Sequence, residues 1–135
     1  MLFLAVNFVL HLLWENLQAP LYQGYTSFAQ HFGICFKAAL GDMIFMGIIY
    51  GTLALLHRDI LWIADQAAYA RPSTWIVAVL TGLLLAVGFE LWALSTHRWA
   101  YGAMPTILGI GIFPMLQMIA IPLITLSISR SVSRL

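Results

Sequence analysis

Charge is scarce in this chain. Of 135 residues, six are Lys or Arg and five are Asp or Glu, 8% in all, against 62% hydrophobic. Soluble domains carry roughly 25% charged residues, so a water-facing surface cannot be assembled from this set, and a cytosolic globular enzyme is excluded. The net charge of +1 offers no basic patch for nucleic acid, and the apolar content excludes disorder. Cysteine is nearly absent too. Cys35 alone rules out a disulfide framework within one chain and the Cys-rich zinc patterns.

What is present is apolar sequence in runs of membrane length. Crossing about 30 Å of hydrocarbon takes roughly 20 helical residues, and Leu2–Ala19, Ile34–Leu56, Trp75–Leu94 and Thr106–Ser127 qualify. The expected fold class is all-α: a polytopic membrane protein with four transmembrane helices in a bundle, residues 1–135 forming a single domain, because lipid leaves open sheets and loops unsatisfied. Pro20 and Gly24, Arg58-Asp59, Arg71-Pro72-Ser73 and Tyr101-Gly102 with Pro105 mark the breaks. The first run is apolar like a signal peptide, but it lacks a basic start, carries Glu15 and is followed by Gln-Ala-Pro, so it reads as a retained span. Trp62, Tyr69, Trp75, Trp99 and Tyr101 fall at predicted water boundaries, as anchors do. The connection Arg58–Ser73, with Ile60, Leu61, Trp62 and Ile63, predicts a short helix on the membrane surface. Arg58, Arg71, Arg130 and Arg134 gather on one side against Lys37 and Arg98 on the other, which puts both termini in the cytoplasm.

The polar residues inside these runs carry the functional signal. At 100° per residue Asn7, His11, Glu15, Gln18 and Tyr22 share an arc of about 80°. The ten Leu, Phe and Val residues of that run favour insertion by about 3 to 6 kcal/mol, and a central carboxylate opposes it by about 2.5 to 3.5 kcal/mol. The stripe should therefore face the bundle or a wet cavity. Cys35, Asp42, Tyr50 and His57 share an arc on the second run with His31 beside it, while Lys37 points elsewhere and snorkels. Glu90 shares one with His97, Arg98 and Tyr101 on the third, where Arg98 can reach back to the carboxylate or meet headgroups. The fourth offers Gln117 between Pro114 and Pro122, which interrupt backbone bonding and can expose a carbonyl to the interior.

Counting from each outer end, Glu15, Asp42 and Glu90 lie about 6 to 12 Å deep and Gln117 about 15 to 18 Å. One outward-facing pocket of His11, Glu15, Asp42, Glu90 and Gln117, with Arg98 at its mouth, is the expectation. Carboxylates so close in a poor dielectric cannot all ionise, which suits acid catalysis, proton relay or cation binding. A metal is not expected: the Glu-x-x-His pairs of dimetal bundles are missing, and His31, His57 and His97 read as interfacial. No other cofactor is expected either. Gly47-x-x-x-Gly51 points away from Asp42 and suggests a homodimer, while Ala78, Gly82 and Ala86 mark close packing.

The strings Trp14-Glu15-Asn16-Leu17-Gln18-Ala19-Pro20, Gly41-Asp42, Glu90-Leu91-Trp92, Arg98-Trp99-Ala100-Tyr101 and Pro114-Met115-Leu116-Gln117 resemble a group of small, uncharacterised bacterial inner-membrane proteins with four helices. That resemblance implies a location and no activity. Trp99-Ala100-Tyr101, Leu108-Gly109-Ile110 and Pro114 are also similar, in order, to the membrane-integral carotenoid (lycopene) cyclases. Leu116 and Gln117 stand where those enzymes carry acids, so polyene protonation here would fall to Glu15, Asp42 or Glu90.

Three functions remain open at this point. The pocket acts on or binds a membrane lipid or isoprenoid, with Glu15 or Glu90 as proton donor, Asp42 stabilising, His11 orienting, Trp14 and Trp92 as cavity walls, and Gln18, Arg98, Tyr101 and Gln117 as substrate contacts. Alternatively the carboxylates load an ion or proton for transport, or the stripe pairs with a partner helix in an assembly.

Overall fold

A computed structural model describes residues 2–133 of the chain; Arg134 of the charge count lies outside the described residues. The structure is mostly helical. In chain order it holds α1 (Leu2–Gln18), α2 (Phe28–His57), α3 (Gln66–Ala70), α4 (Pro72–Ser95), strands β1 (Thr106–Ile107) and β2 (Ile110–Gly111), and α5 (Ile112–Val132). Three helices, α2, α4 and α5, are long and apolar enough to cross a membrane. The fourth long helix, α1, has 17 residues and passes into a 3-10 turn at Ala19–Leu21. It packs on α2 and α5, and α4 packs on the same two.

The helix boundaries have local causes. Ser27 caps α2, its side-chain oxygen accepting from Gln30 N–H, and α2 begins six residues before the predicted run. α4 ends when His97 takes a left-handed conformation (φ 55°) and Arg98 N–H donates to the Ala93 carbonyl at 2.9 Å. The fourth run is corrected at its start. Thr106–Gly111 is a small antiparallel hairpin, pairing Thr106 with Gly111 and Ile107 with Ile110. Leu108 and Gly109, both at positive φ, form its tip as a type I′ turn requires. α5 therefore starts at Ile112, one hairpin later than apolarity alone indicates.

The connection Arg58–Ser73 is also corrected. It folds as a 3-10 turn, Trp62–Ala64, and the five-residue α3. Trp62 and Tyr69, expected as boundary anchors, are each 1% exposed and belong to the core with Met46, Ile49, Leu53 and Leu126. Tyr69 O–H donates to the Ile63 carbonyl at 2.8 Å, and burial pushes that hydroxyl up to about 12. Gln66 Nε2 donates to the Arg130 carbonyl at 3.0 Å, which ties α3 to the end of α5. Arg58, Arg71 and Arg130 thus lie at one end of the molecule, and Lys37 and Arg98 at the other.

Above this core α4 and α5 cross at close range. Pro122 lacks an N–H, so the Met118 carbonyl loses its partner in the helical ladder. That carbonyl faces Gly82: a β-carbon placed there would lie 2.1 Å from its oxygen. By contrast, a β-carbon at Gly47 or Gly51 meets nothing within 4 Å among the described residues, so no close approach there requires glycine. Gly82→Ala should lower stability by about 1–3 kcal/mol through overpacking against backbone. Gly88→Ala, where a β-carbon also meets nothing, should leave stability unchanged or slightly raised. Thermal unfolding of both variants in one detergent checks the contrast.

Candidate functional site: a polar cluster beside a cavity

α1 turns its polar stripe inward. Asn7 and His11 are fully buried and Gln18 is 4% exposed, while Leu4, Val9, Leu13 and Leu17 of the same helix are exposed. Thr125 Oγ1 of α5 donates to Asn7 Oδ1 at 3.0 Å, the deepest of the bonds joining the stripe to α5.

One turn along, the cluster centres on Gln117, which is 2% exposed. Its Nε2 lies 2.9 Å from Glu15 Oε1, 2.9 Å from Asp42 Oδ2 and 3.0 Å from His11 Nδ1. An amide nitrogen has two hydrogens, so it cannot serve all three. His11 Nδ1 is also 3.2 Å from Asp42 Oδ2, and His11 Nε2 is buried with no partner among the described residues. A proton on Nδ1 resolves the cluster. His11 then donates to Asp42, the two Gln117 hydrogens go to Glu15 and Asp42, and no N–H of this cluster is left without an acceptor. Gln18 Nε2 completes the set, lying 2.9 Å from Glu15 Oε1 and 3.1 Å from Gln117 Oε1, while its own Oε1 accepts from Trp14 Nε1 at 3.2 Å.

Gln117 reaches this level because α5 starts late. It stands five residues past Ile112, about 8 Å along the axis, within hydrogen-bond reach of Glu15 and Asp42 and not deeper than they are as the longer run implied.

Glu90, 4% exposed, is held separately. Tyr101 O–H donates to Glu90 Oε2 and Trp99 Nε1 donates to the same oxygen at 3.4 Å. Tyr101 arrives through the loop after α4, not by helical rotation, and its oxygen accepts from Gly111 N–H at 2.8 Å. Burial, with the Glu90 carboxyl beside it, pushes the Tyr101 hydroxyl above its ordinary range. The loop is held by the segment after α1: Tyr22 pairs with Tyr101, Gln23 N–H donates to the Ala100 carbonyl at 2.9 Å, and Gly102 N–H to the Leu21 carbonyl at 2.9 Å. Tyr22 also packs edge-on against Trp99.

A cavity of about 510 Å³ opens beside these groups. Glu15, Asp42, Glu90, Gln18 and Gln117 line it, with Arg98. His11 stands behind this wall and acts through Asp42 and Gln117. Exposed lining residues, Ile34 at 63% and Ile44 at 67% on α2 and Phe89 at 38% on α4, show that the cavity reaches the surface between those two helices.

Several placements differ from the sequence reading. Arg98 does not pair with Glu90; its guanidinium lies 4.8 Å from the centre of the Trp92 ring. Trp92 itself is 44% exposed and lies outside the cavity lining, and Trp14 borders a separate pocket of about 130 Å³ with Leu17 and Phe113. Lys37, expected to point away, lines the cavity, as do Phe45, Phe89 and Trp99, which the polar pattern did not single out. His57 and His97 are outside the lining, whereas His31 is part of it. No group of three or more His, Cys, Asp or Glu side chains is arranged to hold a metal ion among the described residues.

Gln117→Leu leaves two half-buried carboxyls without their shared donor, a loss of about 1–3 kcal/mol in all, since both also face the cavity. The variant should unfold at markedly lower temperature in detergent than Gln23→Leu, a change at an exposed lining position.

Comparisons with family models, with curated proteins and with solved structures find no match to this chain, so the chemistry of the cavity is read from its own side chains.

Proposed function

We propose that the chain is a polytopic protein of the bacterial inner membrane, a bundle of four transmembrane helices with both termini cytoplasmic, whose cavity takes a hydrophobic lipid or isoprenoid and performs acid–base chemistry on it. The inside-out pattern of α1, polar within and Leu or Val without, supports its crossing the bilayer beside α2, α4 and α5, because polar side chains in lipid face the bundle interior. Reporter fusions at either terminus should both report a cytoplasmic location, and a fusion in the loop after α4 the opposite side.

One observation carries the functional reading: three carboxyls from three helices border a cavity whose edge between α2 and α4 is apolar and exposed. A substrate can enter from the hydrocarbon through such an edge, whereas a water-soluble one would meet Ile34, Ile44 and Phe89 first. The core of Met46, Ile49, Leu53, Trp62 and Tyr69 is packed beneath, which supports a blind site over a permeation path. Inward-facing acids likewise favour a site over a docking stripe for a partner helix.

In this reading Glu15 and Asp42, bridged by Gln117, form the pair that holds and releases a proton, with His11 orienting Asp42. Glu90, fixed by Tyr101 and Trp99, is the second acid–base group on the opposite wall. The likeness to carotenoid cyclases fits a polyene or related chain, with these three residues in place of the acids that Leu116 and Gln117 do not supply.

Protein purified from membranes should carry extractable lipid visible by native mass spectrometry. Glu15→Gln and Glu90→Gln should change the host's lipid or pigment profile while retaining the bound lipid. A lipid-free protein whose two variants leave that profile untouched overturns the proposal.

A further inference from the structure

The wall of the cavity is acidic at depth and basic at the rim. Lys37 precedes Asp42 by five residues on α2, about 8 Å nearer the start of that helix, and Arg98 lies beyond the end of α4, eight residues after Glu90. Both line the cavity and both are exposed. Among the described residues the one ion pair is His11 with Asp42, so neither cation is neutralised by an acid of the chain. Arg98 stacks on Trp92, a contact that orients the guanidinium plane without using its N–H donors. On α2 the lining between the two polarities is Ala38 and Gly41, and Phe45 of α2 and Phe89 of α4 add apolar surface beside the acids.

A cation at a helix end usually snorkels to whatever headgroup lies nearby. Here two cations from different helices border the same cavity as the acids, so the group that meets them is positioned relative to the carboxyls. From this we infer that the ligand is an amphiphile bearing a phosphate headgroup: the phosphate rests between Lys37 and Arg98, and its chain lies along Ala38, Phe45 and Phe89 within reach of the acids. Two point charges match the charge of about −1.5 to −2 that a phosphate monoester carries near neutral pH, and an arginine edge binds phosphate in bidentate fashion. The inference rests on the lipid-binding reading above and narrows its substrate class.

Binding in a non-ionic detergent, followed by titration calorimetry, tests it with geranyl phosphate, geraniol and inorganic phosphate as probes. Geranyl phosphate should bind roughly tenfold or more tighter than geraniol, and inorganic phosphate far more weakly than either. The double variant Lys37→Gln, Arg98→Gln, at two exposed positions, should erase the preference and leave geraniol affinity unchanged. Gly41→Leu, where a β-carbon meets nothing within 4 Å but the added side chain enters the cavity, should abolish binding of both chains. Equal affinity for geranyl phosphate and geraniol, or a preference that survives in the double variant, overturns the headgroup assignment while leaving the hydrophobic cavity standing. Inorganic phosphate binding as tightly as geranyl phosphate overturns it in favour of a free anion. Failure of both chains to bind removes the cavity reading as well.

Discussion

Two hydrogens on one buried amide hold the polar interior together. Gln117 is the donor that Glu15 of α1 and Asp42 of α2 have in common, so three helices meet at a single nitrogen. A buried carboxyl without donors is costly, and few donors are to hand: His11 serves Asp42 and Gln18 serves Glu15. Each acid is satisfied only while α1, α2 and α5 keep their present spacing. The cluster therefore acts on the fold as a clamp at the same time as it forms one wall of the cavity.

The packing of α4 against α5 and of the connection after α2 frames the cavity beside that clamp. Pro122 releases the Met118 carbonyl, Gly82 gives it room, and α4 meets α5 with no side chain between them. Large side chains do the filling below, where Trp62 and Tyr69 enter the core from the connection after α2. Toward the other end the lining positions of α2 and α4 include small residues, Ala38, Gly41 and Ala86, which fill little of the space between the helices.

Long apolar runs and an inward polar stripe were legible in the sequence because each follows from one rule, the exclusion of unpaired polar groups from lipid. The helical period placed His11, Glu15 and Gln18 on one face, and counting depth along each run pointed to Glu15, Asp42 and Glu90 together, which line one cavity. What the sequence hid was local chain geometry. The residues Thr106–Gly111 are as apolar as the helix they precede, and only the positive φ at Leu108 and Gly109 sets the hairpin apart. Helical rotation could not place Arg98 or Tyr101, since α4 ends at Ser95. Aromatic residues were the least legible: Trp62 and Tyr69 went to the core, Trp92 to the surface and Trp99 to the cavity, because a ring satisfies each setting about equally well and packing decides.

The Tyr101 hydroxyl has one proton, which it gives to Glu90, and its oxygen already accepts from the Gly111 amide. It can take a proton from Glu90 only by reversing its own role toward that carboxyl, and the amide cannot reverse with it. Tyr101 is thus fixed as a donor to Glu90, and the side of that carboxyl left open faces the cavity. The hairpin, through its Gly111 amide, sets the direction of a hydroxyl that belongs to neither the strands nor the helix it serves.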